Sequence, residues 1–186
     1  SMSPMPQKIE GYKGNGVRIV SKDLLGVAYA NGNLTTGHIN MGSTNPADAT
    51  NYNFTDRTDV NGNMPFAGRP DAFEVYARFT PGTAKAATDE AEEQPALQGR
   101  VQLILHKDAA YHDPEIAEMA DEKVGSANVL IPATEEWTKF TGEFSYATDE
   151  APEVQYLLAS ATTNPVPGAS KDDQLDLDEL RLIYYS

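Results

Sequence analysis

The chain contains no cysteine, which excludes disulfides, thiolate metal sites and a cysteine nucleophile. Positive charge is scarce: 14 Lys and Arg stand against 28 Asp and Glu, a formal net charge of -14. That mean field repels a nucleic-acid backbone or an anionic membrane surface. No stretch of about 20 apolar residues is present to cross a membrane, and nothing reads as a signal peptide. Enzyme signatures are missing too. There is no HExxH, no GxSxG elbow and no glycine-rich phosphate loop, and His38, His106 and His112 lack ligand spacing.

What is present points to a packed β protein. At 186 residues, with 40% hydrophobic residues, nine Tyr and six Phe, the chain suits one domain with a substantial core. Eight short apolar runs separated by Gly, Pro, Asn and Asp read as strands: Val17 to Ser21, Leu34 to Met41, Ala72 to Thr80, Arg100 to His106, Asn128 to Ile131, Lys139 to Tyr146, Val154 to Ala161 and Leu175 to Tyr185. Between them only Asp113 to Glu122 reads as a helix, with Asp113 as its cap and Pro114 in the first turn. The expected fold is therefore all-β, a jelly-roll β-sandwich with one short helix. It occupies residues 14–186 after a linker at 1–13, with loops at 83–95 and 162–173.

The closing run is the most informative. Leu175, Leu177 and Ile183 fall on one parity and Leu180, Leu182 and Tyr184 on the other, so each side meets apolar surroundings, as in sheet-on-sheet packing. Asp178 shares the parity of Leu180. A carboxylate on a buried face needs donors or a cation, since burying it unpaired costs several kcal/mol.

Several pieces occur in a fixed order: Ala30-Asn31-Gly32-Asn33-Leu34-Thr35-Thr36-Gly37, Phe66-Ala67-Gly68-Arg69-Pro70, Trp137 leading to Phe144-Ser145-Tyr146, Leu158-Ala159-Ser160-Ala161, and Leu177-Asp178-Glu179-Leu180-Arg181-Leu182-Ile183-Tyr184. Together they resemble the family of carbohydrate-metabolism domains abbreviated PCMD, over roughly residues 14–185. The resemblance implies a domain similar to carbohydrate-binding jelly rolls, in a periplasmic or cell-surface setting. It supplies no catalytic residues.

A sugar offers an apolar face and a rim of hydroxyls, so a binding site needs aromatic platforms beside planar polar groups. In the run Ala72 to Thr80, Phe73, Val75, Ala77 and Phe79 share the core parity, leaving Glu74, Tyr76 and Arg78 on the other face. Gln102 and His106 share a face of the next run. If these two strands pair, the polar faces merge into a patch for sugar hydroxyls. Tyr52 and Tyr111 are platform candidates in polar loops, and the single tryptophan, Trp137, is expected in the core. Asp172, Asp173, Asp176 and Asp178 form an acidic cluster without EF-hand spacing. By analogy with jelly-roll sugar binders, Asp178 is the candidate ligand for a structural Ca²⁺. The expected function is a non-catalytic glycan-binding module of an exported protein. The alternatives are a glycoside hydrolase or lyase domain using two carboxylates, and a structural or protein-interaction module of a surface complex.

Overall fold

Alternating side chains in the long apolar runs dictate sheets with one buried face each. The computed structural model describes residues 5–88, 93–150 and 153–186. Its strands are β1 (Gln7–Glu10), β2 (Asn15–Val20), β3 (Lys22–Leu24), β4 (Ala28–Ala30), β5 (Asn33–Thr35), β6 (His38–Met41), β7 (Asn51–Phe54), β8 (Ala72–Thr80), β9 (Thr83–Ala84), β10 (Gly99–His106), β11 (His112–Asp113), β12 (Lys123–Ile131), β13 (Thr134–Glu143), β14 (Ser145–Tyr146), β15 (Tyr156–Thr162), β16 (Ser170–Lys171) and β17 (Gln174–Ile183). A 3-10 helix, Ala117–Glu122, lies between β11 and β12.

Two five-stranded sheets carry the fold, ordered β1-β2-β17-β8-β13 and β14-β12-β10-β15-β5. Their pairings are antiparallel and nested: β2 pairs β17, β5 pairs β15, β8 pairs β13 and β10 pairs β12. First joins last and inner joins inner, the wrapping of a jelly roll. Each of the eight strands of this nest overlaps one of the eight apolar runs of the sequence.

The core lies between the sheets. Phe73, Val75, Ala77 and Phe79 of β8 and Leu175 and Leu177 of β17 meet Val101, Leu103 and Leu105 of β10, all buried. Each large side chain removed from water there contributes about 1.5–3 kcal/mol.

Five features depart from the sequence reading. Lys139 to Tyr146 is divided at Phe144 between β13 of the first sheet and β14 of the second. Leu34 to Met41 is broken at Thr36-Gly37 into β5 and β6, which belong to different sheets. Gly37 permits the break because a Cβ there would collide with the Phe54 carbonyl oxygen. The helix covers only Ala117–Glu122, because Asp113 is engaged in β11, opposite Asn53 of β7. Within the two expected loops, Thr83–Ala84 and Ser170–Lys171 pair as strands, while residues 89–92 of the first loop lie outside the described residues. Gln7–Glu10, in the stretch read as linker, is the edge strand of the first sheet.

The two apolar parities of the closing run have a local cause. Between Asp178 and Arg181, β17 advances one residue more than β8, and Glu179 sits at φ 50. This bulge inverts the phase. Leu182 then packs against the core with Leu175 and Leu177, and Leu180 is left exposed.

Candidate functional site

On the outer face of the first sheet, Glu74, Tyr76 and Arg78 share a side, opposite the buried β8 residues. The conditional patch does not form, because β10 belongs to the second sheet and Gln102 and His106 are on the other side of the sandwich. Instead the first face satisfies itself. Asp176 accepts from Arg18 Nε at 2.7 Å and Arg78 Nε at 2.7 Å. Burial works against its charge, but the two guanidiniums outweigh burial and hold the carboxyl below the usual range. Tyr12 stacks on Tyr76 with ring centroids 3.7 Å apart, and Lys139 pairs with Glu74 at 3.0 Å. Trp137 is outside the core and lies beneath the Arg78 guanidinium, 4.7 Å from ring centroid to Cζ. Asp178 accepts backbone N–H groups from Lys13 at 2.8 Å and Glu179 at 2.7 Å.

The second sheet is partly covered on its outer side. His106 is fully buried, stacked between Tyr111 and Tyr156. Its Nδ1 donates to the Lys107 carbonyl at 2.8 Å, so Nε2 is the acceptor for the Thr55 hydroxyl at 2.8 Å. Burial pushes its pKa down, which fits the neutral ring. Tyr111 is buried beside Ile104 and Leu158 and donates to Glu115 at 2.6 Å. Both residues, expected at a ligand surface, are packing residues here. A polar parity in sequence does not reveal that another layer covers it.

That layer is the small sheet β11-β7-β6. Its register places Ile39, Asn53 and Asp113 on one face and Asn40, Tyr52, Phe54 and His112 on the other. Asn53 donates to Ser160 Oγ of β15 at 3.0 Å, so the first of these faces is turned toward the second main sheet. Tyr52 borders the cavity described next, while its ring stacks on His112 at 4.2 Å.

Between the layers a groove of about 220 Å³ opens. Ile39 and Met41 give it apolar wall, each roughly half exposed, and Asn33, Asn53 and Thr162 give it polar wall. Arg100 of β10 and Asp113 of β11 face each other across it at 3.9 Å, too far for a hydrogen bond. Neither side chain has a hydrogen-bond partner among the described residues. Burial raises the Asp113 pKa, and the Arg100 charge opposes that rise. A guanidinium and a carboxylate with unspent donors and acceptors can bracket neighbouring hydroxyls of a neutral ligand. Arg100 was legible on the parity of Gln102 and His106. Asp113 was hidden by its reading as a helix cap.

Among the described residues, one group brings three metal-capable side chains together: His38, Asp56 and Asp59. Asp178 is not part of it.

No family model matches the sequence and no curated protein does, so the PCMD resemblance has no support from a family match. Solved structures match in fold. One, described as a candidate glycoside hydrolase from Bacteroides thetaiotaomicron, superposes with a TM-score of 0.73 at 17% identity, over 97% of this chain and 57% of that one. The chain thus spans little more than half of that protein's length. A second candidate glycoside hydrolase, from Bacteroides vulgatus, gives 0.63 at 16% identity, over 96% and 76%. A family 11 carbohydrate-binding module of a Clostridium thermocellum cellulase matches at 0.40 and 9% identity, over 97% and 81%, too remote to carry weight. The chain is a β-sandwich of the architecture that the two Bacteroides proteins contain.

Proposed function

We propose that the chain is a non-catalytic glycan-binding module, of the PCMD kind, in an exported periplasmic or cell-surface protein. The Arg100–Asp113 pair facing across the groove at 3.9 Å carries this reading. Arg100 donates to one sugar hydroxyl and Asp113 accepts from its neighbour, while Ile39 and Met41 take the apolar face of the ring. A neutral glycan also suits the net charge of -14 better than an anionic one.

Size and chemistry refine the proposal. The groove, at about 220 Å³, falls below the roughly 300–1,000 Å³ of ordinary small-molecule sites, which favours the end of a glycan chain. Hydrolysis by the usual route needs two carboxylates flanking the bond, and Asp113 is the only acid among the described residues lining the groove. That favours binding over catalysis.

A glycan array, followed by calorimetry on any hit, tests the proposal with wild type, Arg100→Ala and Asp113→Asn, in Ca²⁺ and in EDTA. Saturable binding without product, lost in both variants, supports it. Product release moves the assignment to an enzyme, and silence across a broad array moves it to a structural or interaction module. The EDTA arm reads whether Ca²⁺, with Asp178 as its expected ligand, contributes.

A further inference from the structure

The core is open along one edge. Where β2 and β17 face β5 and β15, a cleft of about 780 Å³ runs between the sheets. Its floor is made of core side chains, Val75, Val101, Leu157 and Leu177, all buried. Its lip carries Met64 and Leu180, which are 43% and 45% exposed. Beyond the bulge at Glu179, Leu180 and Leu182 share a parity and both line this edge, Leu180 toward solvent and Leu182 against the core. Protein interiors normally leave few voids larger than a water molecule, and a dry apolar cavity of about 150 Å³ is enough to take up benzene.

The wall chemistry selects the occupant. Thr35 Oγ1 donates to the Ala159 carbonyl at 3.0 Å, and Thr36 Oγ1 donates to the Leu157 carbonyl at 3.1 Å while accepting from the Ala159 N–H at 2.9 Å. These hydroxyls are spent on the sandwich itself. A polar group carried deep into the cleft would lose its water and gain little in return. The charged residues lining the cleft, Asp178 and Glu179, are both acidic, on a chain whose net charge is -14. Arg181 pairs with Glu179, while Asp178 has no cationic partner among the described residues. A carboxylate head at this edge would be repelled.

We propose that this cleft binds the aliphatic chain of an uncharged amphiphile, inserted between the sheets with its head at the solvent edge. It is a second site, independent of the glycan groove. N-phenyl-1-naphthylamine, a neutral dye that brightens in apolar surroundings, reports occupancy. Wild type takes up the dye, 1-decanol displaces it, and decanoate at pH 8 displaces it at least about tenfold more weakly. Ala159→Phe fills the β15 wall and Val17→Phe narrows the β2 side, and each abolishes uptake with glycan binding retained. Val17 is only partly buried, so V17F decides the matter if A159F does not fold. Arg100→Ala keeps full uptake, so failure of the groove and failure of the cleft are read separately. Absence of uptake by wild type, uptake unchanged in the folded cleft variants, or decanoate displacing as well as decanol overturns the proposal.

Discussion

The two outer faces of this sandwich use similar side chains to opposite ends. On the first sheet, Arg18, Arg78 and Asp176 close on one another at 2.7 Å, Tyr12 lies on Tyr76, and Lys139 meets Glu74. On the second, a third sheet roofs the strands and leaves Arg100 and Asp113 apart at 3.9 Å in a groove. An arginine already holding its carboxylate gains little from a hydroxyl, whereas one held just short of its partner still has donors to give. Composition alone would favour the first face as the ligand surface, with its two tyrosines, tryptophan and arginines. Satisfaction of the polar groups favours the second.

The largest effect should come from breaking the first network. Asp176 is 2% exposed, and Asp176→Ala leaves two partly buried guanidiniums without their carboxylate, a loss of about 3 kcal/mol. The urea midpoint should fall accordingly, with glycan binding at 25 °C unchanged. The same residue sets an acid limit. Its folded pKa lies below the ordinary 3.8, so its contribution is full above that value and is lost as pH falls through the lower folded value. Urea titrations from neutral pH downward should show wild type losing stability over this window more steeply than D176A. Equal slopes would mean that the network adds nothing.

Next in size are the groove residues. Arg100→Ala and Asp113→Asn should each weaken glycan binding by about 10- to 100-fold, the worth of one or two charge-assisted hydrogen bonds, as read by calorimetry. The urea midpoint of Asp113→Asn should stay close to wild type, since neither side chain holds a hydrogen bond in the free protein. That of Arg100→Ala should fall only slightly, by the charge that Arg100 sets against the partly buried Asp113 carboxylate. A large stability loss in either would mark the pair as structural and erase the contrast between the faces.

Much of the architecture was legible because strands write their burial with period two. Phe73, Val75, Ala77 and Phe79 face the core as their parity demands, with Glu74, Tyr76 and Arg78 opposite. What parity cannot carry is partnership. β8 pairs with β17 and β13, and no local signal separates those from β10, the next long strand along the chain. The bulge at Glu179 was legible only by its effect, since one inserted residue makes both parities apolar without burying both faces. His106 misleads for the same reason: Tyr111 beside β11, Thr55 beside β7 and Tyr156 of β15 enclose it, and they meet only in three dimensions, so Tyr111, read as a loop platform, is part of that cover. The Arg100–Asp113 pair depends on that docking as well, so no spacing rule would find it.

The smallest expected change is the sharpest test of the comparison. Tyr76→Ala removes the Tyr12 stack, an aromatic pair worth about 0.5–1.5 kcal/mol at most and less here, because Tyr12 is 49% exposed. Trp137→Ala removes the plane beneath Arg78, a contact of about 0.5–1 kcal/mol at an exposed site. If the first face is only structural, both variants bind glycan within about twofold of wild type, a difference of roughly 0.4 kcal/mol. A flat polysaccharide could instead lie across Tyr12, Tyr76 and Trp137 without entering any groove, as stacking needs only an exposed ring. Binding lost in Y76A and W137A but kept in R100A would therefore reverse the assignment of the faces and make the groove the structural one.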